Sequence, residues 1–274
     1  KLTTDAIVAL TTAQAAAITN TQMPAMTTDQ LVKLETADFA ALSTANIVAL
    51  TTAQIGSLTT DQLKALSPTQ IVKLETADLA ALSSAQIVGI ELSDLALLST
   101  DQVKGLTVAG PLTGLSTAQV AALTAAQVAA LTTTQVAGLT TAQVAAIEVQ
   151  DLSGMGTAQI SALTSAQLSS FTNNQVAALT TEQVQALSTA NFAGLTSSFI
   201  QAMELTDIQA FTTAQIVAMD SSHIGSLLPS QIGALTTAQI VALTVGQAGA
   251  LNSTQVAALT TTQAAALETA DLAS

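Results

Sequence analysis

The chain has 274 residues, 49% hydrophobic but only 2% aromatic, with a formal charge of −13, one histidine and no cysteine. Its cations are five lysines, the last at Lys104, so the clustered positive field that nucleic acid or an anionic membrane surface requires is absent. Without cysteine there is no disulfide framework or thiolate metal site, and polar residues interrupt every stretch well short of the ~20 apolar residues of a membrane span.

From Leu2 onward every eighth residue is Leu, Ile, Met or Phe, followed by variants of one phrase, L-T-T-A-Q-V-A-A. Thirteen octads reach Gly105, a nine-residue unit occupies 106–114, and twenty octads follow, so 1–274 reads as one continuous tandem array. Slot 1 is the large apolar residue; in the octad beginning at Leu123, slot 2 is Thr124, slot 5 Gln127, slot 6 Val128 and slot 8 Ala130. Slots 2 and 5 spell Thr-x-x-Gln, a capping box, and slots 1 and 6 supply the apolar pair of a hydrophobic staple. One helix start per octad follows.

A helix that restarts every eight residues falls below the roughly 12 to 15 residues needed for marginal stability alone. Stacked neighbours must supply the rest, with small residues at slot 8 letting backbones approach. The expected fold is therefore all-α, a solenoid or superhelix of short capped helices, one per octad. An uninterrupted helix would rotate slot 1 by about 80° per octad and build no stripe. A β-solenoid is the alternative, since Thr, Val and Ile favour strands, although slots 1 and 6 would then point to opposite faces.

In chain order, Pro24 does not fit this register, whereas Pro68 and Pro229 fall on slot 3, the first helical position, where a missing N–H is harmless. The unit Leu106–Gly114, with Gly105, Gly110, Pro111 and Gly114 close together, reads as a break, kink or seam, either a hinge between two array segments or a neutral one-residue insertion absorbed in a loop. Gly156 is a weak cap and Leu228 a failed one, while Asp220 and Asn252 remain good caps. Phe199 and His223 occupy the glutamine slot. His223, the only histidine, reads as a capping variant, because general-base work needs an orienting partner. With no cysteine either, neither a catalytic triad nor a common zinc site can be assembled, and the chain reads as a non-enzyme.

Six octads replace Thr-x-x-Gln in a concerted way: Glu35 with Asp38, Glu75 with Asp78, Glu91 with Asp94, Glu148 with Asp151, Glu204 with Asp207, and Glu268 with Asp271. Four of them, at Glu35, Glu91, Glu148 and Glu204, recur about every seven units. If seven octads complete one superhelical turn, Glu35, Asp38, Glu91, Asp94, Glu148, Asp151, Glu204 and Asp207 line one side as an acidic stripe and are candidate Ca²⁺ ligands, carboxylates being the oxygen donors that cation takes. Favourable placement of acids at helix N-termini accounts for them without a ligand.

Tandem runs such as Leu115–Ile147 resemble the low-complexity repeat regions of large secreted or surface proteins of Gram-negative bacteria, of adhesin, sheath or S-layer type. That resemblance implies an extracellular or cell-surface structural role. The phrase Leu179–Leu187 is similar to the opening helix of a TAL-effector repeat, but the longer repeat, basic surface and base-reading segment of that family are missing, so DNA binding does not carry over. The functional expectation is a non-enzymatic protein that assembles with itself into a filament, sheath or surface layer, the chain being a window on a longer or processed polypeptide. An adhesin stalk, or a Thr-rich module binding ice, carbohydrate or another surface, is the alternative.

Overall fold

The computed structural model describes residues 3–271, with side chains described through residue 267. Short helices follow one another at the octad spacing, and no strand occurs among the described residues, which excludes the β-solenoid there. In the octad from Leu123, Thr124 takes an extended conformation (φ −76°, ψ 158°) and the helix Ala125–Ala130 begins behind it. The Thr124 hydroxyl accepts the Gln127 N–H at 3.3 Å, and Gln127 Oε1 accepts the Thr124 N–H at 2.9 Å. The helix closes with the Leu131 N–H on Val128 O, after which Leu131 is again extended and Thr132 caps the next one.

Burial repeats with the same period: Leu123, Gln127 and Val128 are buried, while Thr124, Ala125, Ala126 and Ala129 are exposed. The core is thus a column of slot-1 and slot-6 side chains edged by slot-5 amides. Pro68 and Pro229 occupy the first turns of the helices Pro68–Ile71 and Pro229–Ala234, as the register requires. Pro24, outside that register, sits in a 3₁₀ turn, Met23–Ala25. The last helix, Thr261–Asp271, runs through the restart expected at Glu268.

Two compact units, 1–146 and 147–274, divide the chain, and within each the helices pack on the third helix before them. In the first, Gln62 Nε2 donates to the carbonyl of Leu34, 28 residues back, and to that of Leu31, 31 residues back. In the second, Gln239 repeats this on Phe211 and Ile208 at the same separations. These partners are slot 1 of the octad three before and slot 6 of the octad four before. One turn of each solenoid therefore takes between three and four octads, not the seven that the spacing of the acidic pairs suggested.

The nine-residue unit, expected as a hinge, lies inside the first compact unit. Its extra residue is absorbed by a wide turn, Val108–Leu112, in which the Leu112 N–H reaches back five residues to Thr107 O at 3.0 Å and Gly110 is non-helical (φ −140°, ψ −115°). Glutamines whose bonds span it shift in register: Gln127 reaches 29 and 32 residues back, and Gln143 returns to 28 and 31. Small residues admit the neighbouring backbone here. A Cβ on Gly114 would stand 2.2 Å from Ser84 O, an overlap that only backbone movement relieves. Gly114→Ala is expected to lower stability by about 1–3 kcal/mol, measured by urea unfolding, through overpacking of the turn contact.

Candidate functional site

Slot 5 carries the chemistry that holds one turn to the next. Gln127 caps its own helix through Oε1 and sends Nε2 to Leu98 O at 2.7 Å and Leu95 O at 2.9 Å on the preceding turn. Gln54, Gln62, Gln183, Gln215, Gln239, Gln247 and Gln255 do the same, all buried. Their oxygen is fixed by the capping N–H, so the amide nitrogen is left facing backbone carbonyls, and both ends of a buried polar group are satisfied. The capping half of this arrangement is written in the Thr-x-x-Gln spacing. The inter-turn half is not, because its partners lie about thirty residues away.

Natural variants of slot 5 show which part each atom plays. Asn46 and Asn191, one methylene shorter, keep the cap and reach only the slot-1 carbonyl, of Ile18 at 2.9 Å and Leu163 at 2.8 Å. His223 reproduces the glutamine: Nδ1 accepts the Asp220 N–H at 3.2 Å, which leaves Nε2 carrying hydrogen toward Leu195 O at 2.6 Å, 28 residues back. Phe199 offers no amide and instead lays its ring against Phe171, 28 residues back, with centroids 6.1 Å apart. Gly156 and Leu228, weak and failed caps by sequence, lose the side-chain acceptor but keep their N–H on Gln159 and Gln231 at 2.8 and 3.0 Å.

The acidic octads depart from the ladder. Asp38, Asp94, Asp151 and Asp207 occupy slot 5 and are buried, whereas Glu35, Glu91, Glu148 and Glu204 at slot 2 are exposed. A carboxylate can imitate the glutamine oxygen, and at Asp78 Oδ2 accepts the Glu75 N–H at 3.0 Å. It has no N–H for the preceding turn. At Asp38 even the cap is missing, and Oδ2 is buried with no hydrogen-bond partner. The structure couples Glu75 to Asp78, Glu91 to Asp94, Glu148 to Asp151 and Glu204 to Asp207 electrostatically. It does not gather the pairs with one another: no cluster of three or more His, Cys, Asp or Glu occurs among the described residues. The side chains of Glu268 and Asp271 lie outside the described residues.

Burial, reinforced by the Glu204 charge and partly offset by the Glu204 N–H, pushes the Asp207 carboxyl up to about 6. Burial likewise raises Asp78, where the Glu75 N–H opposes it and the Glu75 charge adds to it, and raises Asp94 and Asp151 beside Glu91 and Glu148.

Two predictions follow from the slot-5 chemistry. Gln127→Ala strands one capping N–H and two carbonyls and is expected to cost about 2–4 kcal/mol, whereas Gln127→Asn keeps the cap and one inter-turn bond and is expected to cost about 1 kcal/mol, both by urea unfolding. A carboxyl raised by folding is protonated more readily in the native chain, so its contribution is fully present below the unfolded value of 3.8 and is lost as pH rises through about 6. Thermal melts are expected to shift upward as pH falls across that window, with a smaller shift in Asp207→Gln.

The family model described as the ALTTAQ repeat matches residues 31–68, 71–108, 111–141, 144–181, 200–237 and 229–261. No curated protein matches the chain. The matched segments fall on the octads whose Thr and Gln build the caps and the inter-turn ladder, and they cover most of the sequence: the chain belongs to the ALTTAQ repeat family.

Proposed function

We propose that this chain is a non-enzymatic structural protein whose turns join between copies as they do within one, building an extracellular or cell-surface filament, sheath or layer. The polarity of the ladder carries this reading. Each turn offers amide donors to the turn before it and backbone carbonyls to the turn after it, so two open turns are complementary and can add head to tail without a separately evolved interface. Exposed apolar residues at the outward slots, among them Val48, Val88, Leu205, Val217 and Val241, add surface suited to lateral contact.

The non-enzymatic reading is supported by His223, whose two ring nitrogens are both engaged in the cap and the ladder. The extracellular setting rests on the resemblance of the repeats to those of large bacterial surface proteins. A glycan- or ice-binding face draws less support, because slot-2 hydroxyls such as that of Thr124 are occupied by capping, which leaves slot 3 to present threonine outward.

Electron microscopy and sedimentation of the purified chain test the proposal. Filaments or sheets that lengthen with concentration are expected. A monodisperse monomer at every concentration and ionic strength would overturn it.

A further inference from the structure

The concerted exchange of Thr-x-x-Gln for Glu-x-x-Asp gives up inter-turn bonds that nearly every other octad makes. Charge at a helix N-terminus explains an acid at slot 2. It does not explain why slot 5 loses its amide at the same time, since the glutamine there already caps the helix.

The register shows what is left behind. Glutamines at slot 5 donate to carbonyls 28 and 31 residues earlier, and for Asp38 those positions are Leu10 and Ile7. The Ile7 carbonyl accepts the backbone N–H groups of Ala9 and Leu10, and Asp38 has no amide nitrogen to add to them. Opposite them in the register stands Asp38, 3% exposed, with its Oδ2 buried and unpartnered. Glu35 lies in the same octad, three residues before Asp38, with its carboxylate in solvent. Two carboxylates and two backbone carbonyls, all oxygen and without a donor among them, form an acceptor-only set. Backbone N–H groups already meet the Ile7 carbonyl and water meets Glu35, but nothing donates to the buried Asp38 Oδ2, and a hard cation can serve these oxygens together.

We propose that the Glu35–Asp38 octad binds a Ca²⁺-class cation, which takes the place of the missing amide and links this turn to the carbonyls of Ile7 and Leu10. The same register sets Asp94 against Leu63 and Leu66 in the first unit, and Asp207 against Val176 and Leu179 in the second. The smaller side chain at slot 5 makes room for the ion, and the glutamate at slot 2 supplies a further ligand from the solvent side. This assignment does not depend on self-assembly.

The test uses the full chain at about pH 7.5. Bound calcium is counted by equilibrium dialysis, and thermal melts are recorded with calcium chloride, with magnesium chloride and with chelator. Calcium is expected to bind at up to about millimolar dissociation constants and to raise the melting temperature, magnesium to do so more weakly, and chelator to reverse the shift. Glu35→Thr with Asp38→Gln restores the common octad; it is expected to lower the calcium count by one while leaving the chelated protein at least as stable. No bound calcium at millimolar concentration, an unchanged count in the double variant, or equal effects of magnesium would each overturn the site.

Discussion

The structure depends on one side chain doing two jobs at once. A helix of about one and a half turns cannot persist in water, because nucleation fixes several residues for each hydrogen bond gained. Slot-5 glutamine removes that difficulty by closing the cap of its own helix with its oxygen and fastening the preceding turn with its nitrogen. Because the amide is planar, fixing one end aims the other. Local order and long-range cohesion are thereby coupled through a single group.

That coupling explains the pattern of tolerance along the chain. Slot 2 accepts Thr, Ser, Asp, Asn, Gly and even Leu228, since the glutamine oxygen still receives the cap N–H when the capping hydroxyl is gone. Slot 5 is more exacting. Its substitutes either reproduce both functions, as His223 does, retain the cap and one bond, as Asn46 and Asn191 do, or exchange the polar contact for packing, as Phe199 does. The acidic octads follow none of these routes, which is why they stand apart chemically.

A fold made of nearest-neighbour contacts has no single core. Its specific chemistry is spread along the edges of its turns, and those edges are polar in the directional sense, with donors toward one side and acceptors toward the other. Cohesion between successive turns draws on that directionality. The insertion at 106–114 illustrates how forgiving such an array is: one extra residue is taken up in a widened turn, the ladder slips by one over the octads it spans, and the register is recovered by Gln143.

The sequence by itself determined the local layer. The Thr-x-x-Gln spacing, the staple slots and the prolines at slot 3 specify where each helix begins and which residues turn inward, because capping acts over three or four residues and leaves its signature at fixed offsets. The capping role of His223 was legible for the same reason. Only the tertiary structure decided how many octads make a turn, and with it the partners of the glutamine nitrogen. Seven-octad recurrence of the acidic pairs is a statement about sequence period, whereas the turn is set by how far the backbone bends between successive capped helices, which an eight-residue pattern does not encode. The burial of Asp38 opposite Ile7 and Leu10 became visible only once that bend placed residues 28 and 31 apart on adjoining turns.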